Sequence, residues 1–122
     1  MKPVHSKEYF EKYKETLFKK YKKECDFEHE MQLLMPDFSS MPGDVAEKAK
    51  PMLERVAAKK VCALAEEKLF HEMRTIKEIQ NGRASLGYIS LTQEVRAQAE
   101  MNECFEFSCY MLGEFKRKYA IN

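Results

Sequence analysis

The sequence has no tryptophan, and only four glycines and four prolines in 122 residues. So sparse a supply of turn formers excludes collagen-like and low-complexity chains. No run shows the period-two alternation of a β-strand. No apolar stretch reaches the roughly 18 residues that a membrane-spanning helix requires. The opening residues, Met1 to Glu8, hold no apolar stretch of the signal-peptide kind, so a cytoplasmic location is expected. An excess of one charge is also missing, because 21 Lys+Arg against 20 Asp+Glu leave a formal net charge of +1. No global attraction to nucleic acid or to a membrane surface is expected from that balance.

Hydrophobic residues make up 44% of the chain and charged residues 34%, a mixture that excludes an unfolded polar chain. The length suits one domain, so residues 1–122 are expected to form a single all-α unit. Its four cysteines, Cys25, Cys62, Cys104 and Cys109, lie in helical stretches without a Cys-x-x-Cys pair. Cys104 and Cys109 would point about 140° apart on one helix, too far apart to bridge. Reduced thiols in a reducing compartment are expected.

Three long helical segments follow from the periodicity. The first runs from Ser6, a suitable N-cap, to Leu34, and Pro36 ends it. Its apolar stripe is Phe10, Tyr13, Leu17 and Tyr21, then resumes on a displaced line at Phe27, Met31 and Leu34, which predicts a bend or a change of packing partner near residue 26. The second opens with the capping pair Asp44 and Glu47. Pro51 either kinks it or sets off residues 45–50 as a short helix of their own. It continues from Met52 to Ile79, where Asn81-Gly82 supplies a stop. Ser90 and Gln93 form a capping box for the third segment, which extends to about Tyr119. The expected architecture is an elongated helical bundle of three principal helices, the middle one kinked at Pro51.

The third segment carries two heptad-like lines. One is Ala97, Met101, Cys104, Ser108, Met111, Phe115; the other is Leu91, Val95, Gln98, Asn102, Phe105, Cys109, Leu112. Arg96, Glu100, Glu103, Glu114 and Arg117 read as its solvated face. In the second segment Val56, Ala63 and Phe70 recur at sevens, while Leu53, Ala57, Val61, Leu64, Ile76 and Ile79 make another broad face. Such a segment measures roughly 42 Å at 1.5 Å per residue, against a radius of gyration near 14 Å for a compact chain of this size. Elongated packing or self-association is expected.

Catalytic patterns are scarce. Cys25 and His29 share a helix face, as do Glu67 and His71, but neither pair repeats the Glu-x-x-His pattern of di-iron bundles. Two ligands on one helix do not make a metal site, and no metal or cofactor is expected. The cysteines have packing residues around them rather than an activating base, and no phosphate loop occurs. An enzyme is therefore not expected.

Local charge offers more. Lys19, Lys20, Lys22 and Lys23 crowd the first segment among Tyr9, Phe10, Tyr13, Phe18 and Tyr21, and such a face would attract phosphates. Glu24, Asp26, Glu28 and Glu30 follow at once, and nucleic-acid binding is kept as the alternative reading. The primary expectation is a non-enzymatic helical interaction protein that binds a protein partner. Eight methionines supply adaptable apolar surface for that role. The expected partner-binding residues are Met101, Cys104, Ser108, Met111 and Phe115, as the seam of a homodimer, with Leu86 and Tyr88 in the second break. In size, charge and helical content the chain resembles small bacterial accessory proteins such as secretion chaperones, adaptors and phage-encoded antagonists. That likeness of shape implies an interaction role and assigns no residue.

Overall fold

A computed structural model describes residues 4–86 and 92–122, with side chains described for 4–82 and 98–122. Most of the described residues are helical, with no strand among them. Six helices follow in order: α1 Lys7–Lys12, α2 Lys14–Lys20, α3 Lys22–Cys25, α4 Phe27–Leu34, α5 Gly43–Leu86 and α6 Thr92–Lys118.

The first expected helix is thus four short ones. Ser6 caps α1, its side chain accepting from the Tyr9 amide at 3.1 Å. At Tyr13 (φ −107°, ψ 18°) and Tyr21 (φ −111°, ψ 23°) the backbone enters the sparsely allowed bridge region. Tyr13 donates its amide back to Tyr9 and accepts from the Leu17 amide, and Tyr21 donates back to Leu17 and accepts from the Cys25 amide, so the rod bends there without coming apart. Asp26 makes the larger turn, with φ −85° and ψ 72°, and its carboxylate caps α4 by accepting from the His29 amide at 3.1 Å. That is the expected bend. Together the joints let Phe10, Leu17, Cys25, Phe27 and Met31 all reach one core, which a straight helix could not arrange.

The second expected helix is longer than the periodicity indicated. α5 has 44 residues, about 66 Å at 1.5 Å per residue, and it runs through both Pro51 and Gly82. Residues 45–50 are therefore no separate helix. Pro51 cannot donate to the Glu47 carbonyl, but both residues are exposed, where water can serve that carbonyl. A helical glycine costs only about 1 kcal/mol relative to alanine, too little to stop the helix at Gly82. Of the expected capping box, Ser90 lies outside the described residues and Gln93 falls inside α6 with its side chain outside them.

α6 is the inner helix, packed against α5, α4, α3 and α1. It contributes Phe107 (0% exposed), Leu112 and Phe115 to a core completed by Ala57, Ala58, Val61, Cys62 and Ala65 of α5. The small α5 residues let the two helix backbones come close, while phenylalanines from α1, α4 and α6 fill the far side. Past Lys118 the chain turns with Ala120 at φ 53°, and the Ile121 amide donates back to the Lys116 carbonyl at 2.9 Å. This closure seats Tyr119 and Ile121 on the core.

Candidate functional site

Two features of the bundle stand out chemically: a carboxylate cluster where the N-terminal helices meet α6, and an uncovered face on α5. The cluster is built on Glu103 and Glu106, one turn apart on α6. Tyr9 donates its hydroxyl to one Glu103 oxygen at 2.8 Å, and Tyr21 donates to the other at 2.6 Å. Lys20 stands 3.7 Å away. Glu106, nearly buried, receives the His5 amide at 3.0 Å and has the His5 Nδ1 at 3.1 Å. Beside them Phe10 packs at a tilt against Phe107 and Tyr110, with ring centroids at 5.6 and 5.5 Å.

Burial alone would raise the Glu103 carboxyl; hydrogen bonds from Tyr21 and Tyr9 and the Lys20 charge outweigh it, and its pKa falls below the ordinary value. The same bonds help raise both tyrosines. For Tyr9 the bond to Glu103 is the larger cause and burial the second, and for Tyr21 the order is reversed. A carboxylate held ionised with both oxygens occupied by phenols is a poor proton donor and has no open oxygen for a substrate. The cluster is a clamp that fastens α1–α3 to α6. Glu28 of α4 makes a second clamp, accepting from Tyr119 at 2.7 Å and Lys118 at 2.8 Å.

His5, Glu106 and Cys109 line one cleft of about 380 Å³, and those residue types suit a nucleophile, base and orienting acid. The geometry argues against that chemistry. The second ring nitrogen of His5 lies 3.9 Å from Glu103, so both nitrogens face carboxylates. Partial loss of water around it, then the nearby Glu72 and Glu106 charges, push the Cys109 thiol up to about 11, although the residue as a whole keeps an exposed surface. Cys25 is pushed up to about 12, chiefly by burial, and burial also raises Cys62 and Cys104. Thiols held protonated at neutral pH are weak nucleophiles. All four cysteines are free. Among the described residues no three His, Cys, Asp or Glu side chains come together to hold a metal ion.

The lysines singled out by sequence lie along a groove of about 1310 Å³ between α2–α4 and α5. Lys20 is committed to Glu100 at 3.6 Å and to Glu103. Lys19, Lys22 and Lys23 share the groove with Glu24, Asp26, Glu30 and Glu72, so the surface is mixed rather than basic.

The seam expected to meet a second copy is used largely inside the chain. Ser108 (1% exposed) and Phe115 (5%) are buried in the chain's own bundle, and Met111 packs against the core. Cys104 is half-buried, and only Met101 of the five is exposed. Leu86 is the last residue of α5, with its side chain outside the described residues, and Tyr88 lies outside them altogether.

Open apolar surface lies instead on the outer face of α5. Val56 (52%), Leu64 (62%), Phe70 (54%), Met52 and Val45 are all exposed, and Ala63 with them. Ala58, Val61, Ala65 and Ile76 occupy the opposite face and are buried. The Val56, Ala63, Phe70 heptad was visible in the sequence, but nothing there told which of the two α5 faces the chain itself would cover. No helix among the described residues is long and apolar enough to cross a membrane. Compared with known proteins, the chain matches no family model, no curated protein and no solved structure.

Proposed function

We propose that this chain is a non-enzymatic helical interaction protein and that the outer face of α5 is where it binds a protein partner. The observation that carries the reading is the row Val45, Met52, Val56, Ala63 and Phe70, left exposed along a helix whose other face is core. An amphipathic helix normally has one apolar stripe, and a second one in register on the solvent side calls for a second covering surface. The carboxylate clamps at Glu103 and at Glu28 tie the N-terminal helices to α6 and its C-terminal end and make the scaffold behind α5 firm, which suits a binding face. The role is of the adaptor, chaperone or antagonist type, and the cytoplasm is the compartment that suits four free thiols.

The rival reading, nucleic acid along Lys19, Lys20, Lys22 and Lys23, has the carboxylates of the same groove against it. It would require duplex binding near physiological salt, where we expect none.

The test is a photoactivatable residue placed at Val56 or Phe70 in the native host, with a control at exposed Lys12. Adducts at both α5 positions and none at Lys12 support the reading, whatever protein they contain. No adducts at the α5 positions, or equal labelling at all three, would contradict it.

A further inference from the structure

The outer face of α5 has a charge pattern that selects its occupant. Ala63 stands at the middle of the stripe. At about 100° per residue, Lys59 and Glu66 fall on one flank of it and Lys60 and Glu67 on the other. All four are exposed. Lysines lie on the N-terminal side of Ala63 and glutamates on the C-terminal side, and that arrangement is self-complementary in only one direction.

We infer that the outer face of α5 pairs with the same face of a second copy of this chain, antiparallel, with the two-fold axis at Ala63. A two-fold axis perpendicular to antiparallel helices keeps each flank facing the same flank and inverts height along the helix. Lys60 then meets the partner's Glu67 and Lys59 meets the partner's Glu66, each within one residue, about 1.5 Å, of the same height. Val56 faces the partner's Phe70, and the small Ala63 side chains meet at the axis, where close approach is needed. A parallel pair would do the opposite. It would set Lys59 beside the partner's Lys60 and Glu66 beside the partner's Glu67, like against like around Ala63, although farther out Lys77 would lie beside the partner's Glu78. Farther out, antiparallel pairing brings Lys48 near the partner's Lys77, so the contact is a crossing centred on Ala63 rather than a full-length coiled coil. Glu66 also binds Lys116 of its own chain, which leaves Lys60 and Glu67 as the cleaner pair.

This inference rests on the reading of α5 as an interaction face and names what covers it. It replaces Met101, Cys104, Ser108, Met111 and Phe115 with Val56, Ala63 and Phe70 as the homodimer seam.

The test is sedimentation of the full chain over a concentration series, with Ala63→Glu, Lys60→Glu and Glu67→Lys variants. The wild type should reach twice the monomer mass of 14.4 kDa. Ala63→Glu should remain monomeric with unchanged helical circular dichroism, since the site is exposed and glutamate is a good helix former. Lys60→Glu and Glu67→Lys should each self-associate about tenfold more weakly, each replacing two attractive contacts per dimer with repulsive ones. An equimolar mixture of these two variants should dimerise at least as tightly as the wild type, because both cross-contacts regain opposite signs. A wild type that stays monomeric at several hundred micromolar would overturn the self-pairing. Adducts of another protein at Val56 would then still support α5 as an interaction face. A dimer unaffected by Ala63→Glu, or a mixture no tighter than its components, would overturn the two-fold at Ala63.

Discussion

Glu103 shows how far a single side chain departs from its sequence appearance. On α6 it shares a line with Arg96, Glu100, Glu114 and Arg117, which reads as a solvated stripe until Phe107 and Tyr110 are placed on it. The full line is Arg96, Glu100, Glu103, Phe107, Tyr110, Glu114, Arg117, spaced alternately four and three, and its centre is where α1 docks. The tyrosines that reach Glu103 come from positions 94 and 82 residues away in sequence, so no local pattern could pair them. The lowered carboxyl pKa has a thermodynamic consequence. Stability from a group whose folded pKa lies below its unfolded value is present above the unfolded value, and is lost as pH falls through the folded one. With an ordinary value of 4.5 for the carboxyl, stability should decline below that pH in chemical melts. Tyr21→Phe removes one donor, brings the Glu103 pKa closer to its ordinary value and should make the acid-dependent loss of stability smaller. An acid limb unchanged by Tyr21→Phe would mean that the clamp does not form. On the alkaline side the raised tyrosines act in reverse, their contribution being complete below pH 10 and lost above it.

Helices were legible where a long run holds few breakers and illegible where short segments bend around the core. α5 and α6 follow from periodicity, because long runs with few breakers dominate the local signal. The subdivision at Tyr13 and Tyr21 was not readable, since neither residue is a breaker and the bends follow from the shape of the core they wrap. Asp26 was readable as a bend because the stripe changes line there, and its capping carboxylate explains why. On α6 the two seams were correctly seen as apolar, but the helix has apolar residues nearly all round, the mark of an inner helix. Phe107, on neither seam, is fully buried and has the largest side chain among such residues. Phe107→Ala should cost about 3–5 kcal/mol, through lost burial and the cavity left behind. Glu100→Ala on the same line, exposed and paired with Lys20 across 3.6 Å, should stay within about 0.5 kcal/mol. Denaturant melts giving equal losses would mean that α6 is rotated about its axis from the orientation described.

At the scale of the whole molecule, the 44-residue α5 lies against α6 and α4, and among the described residues its outer apolar face is left exposed. Composition and periodicity established an all-helical chain and an overlong second segment. They could not say which apolar face would be covered, because Val56, Ala63 and Phe70 look as buriable as Ala58, Ala65 and Ile76. The deciding factor is tertiary: the small residues Ala57, Ala58 and Ala65 admit α6 closely, while the larger Val56, Leu64 and Phe70 remain outside. Radical side-chain footprinting tests this division most directly, since it reads both faces in one sample of the intact chain. In dilute solution Met52 and Phe70 should be labelled while Met31 and Phe107 are protected. At concentrations where the chain self-associates, Phe70 should become protected and Lys12 should stay open. Protection of Phe70 in the dilute monomer, with labelling of Phe107, would contradict the assignment of the core face, and with it the account of α5 as the face that this chain offers to others.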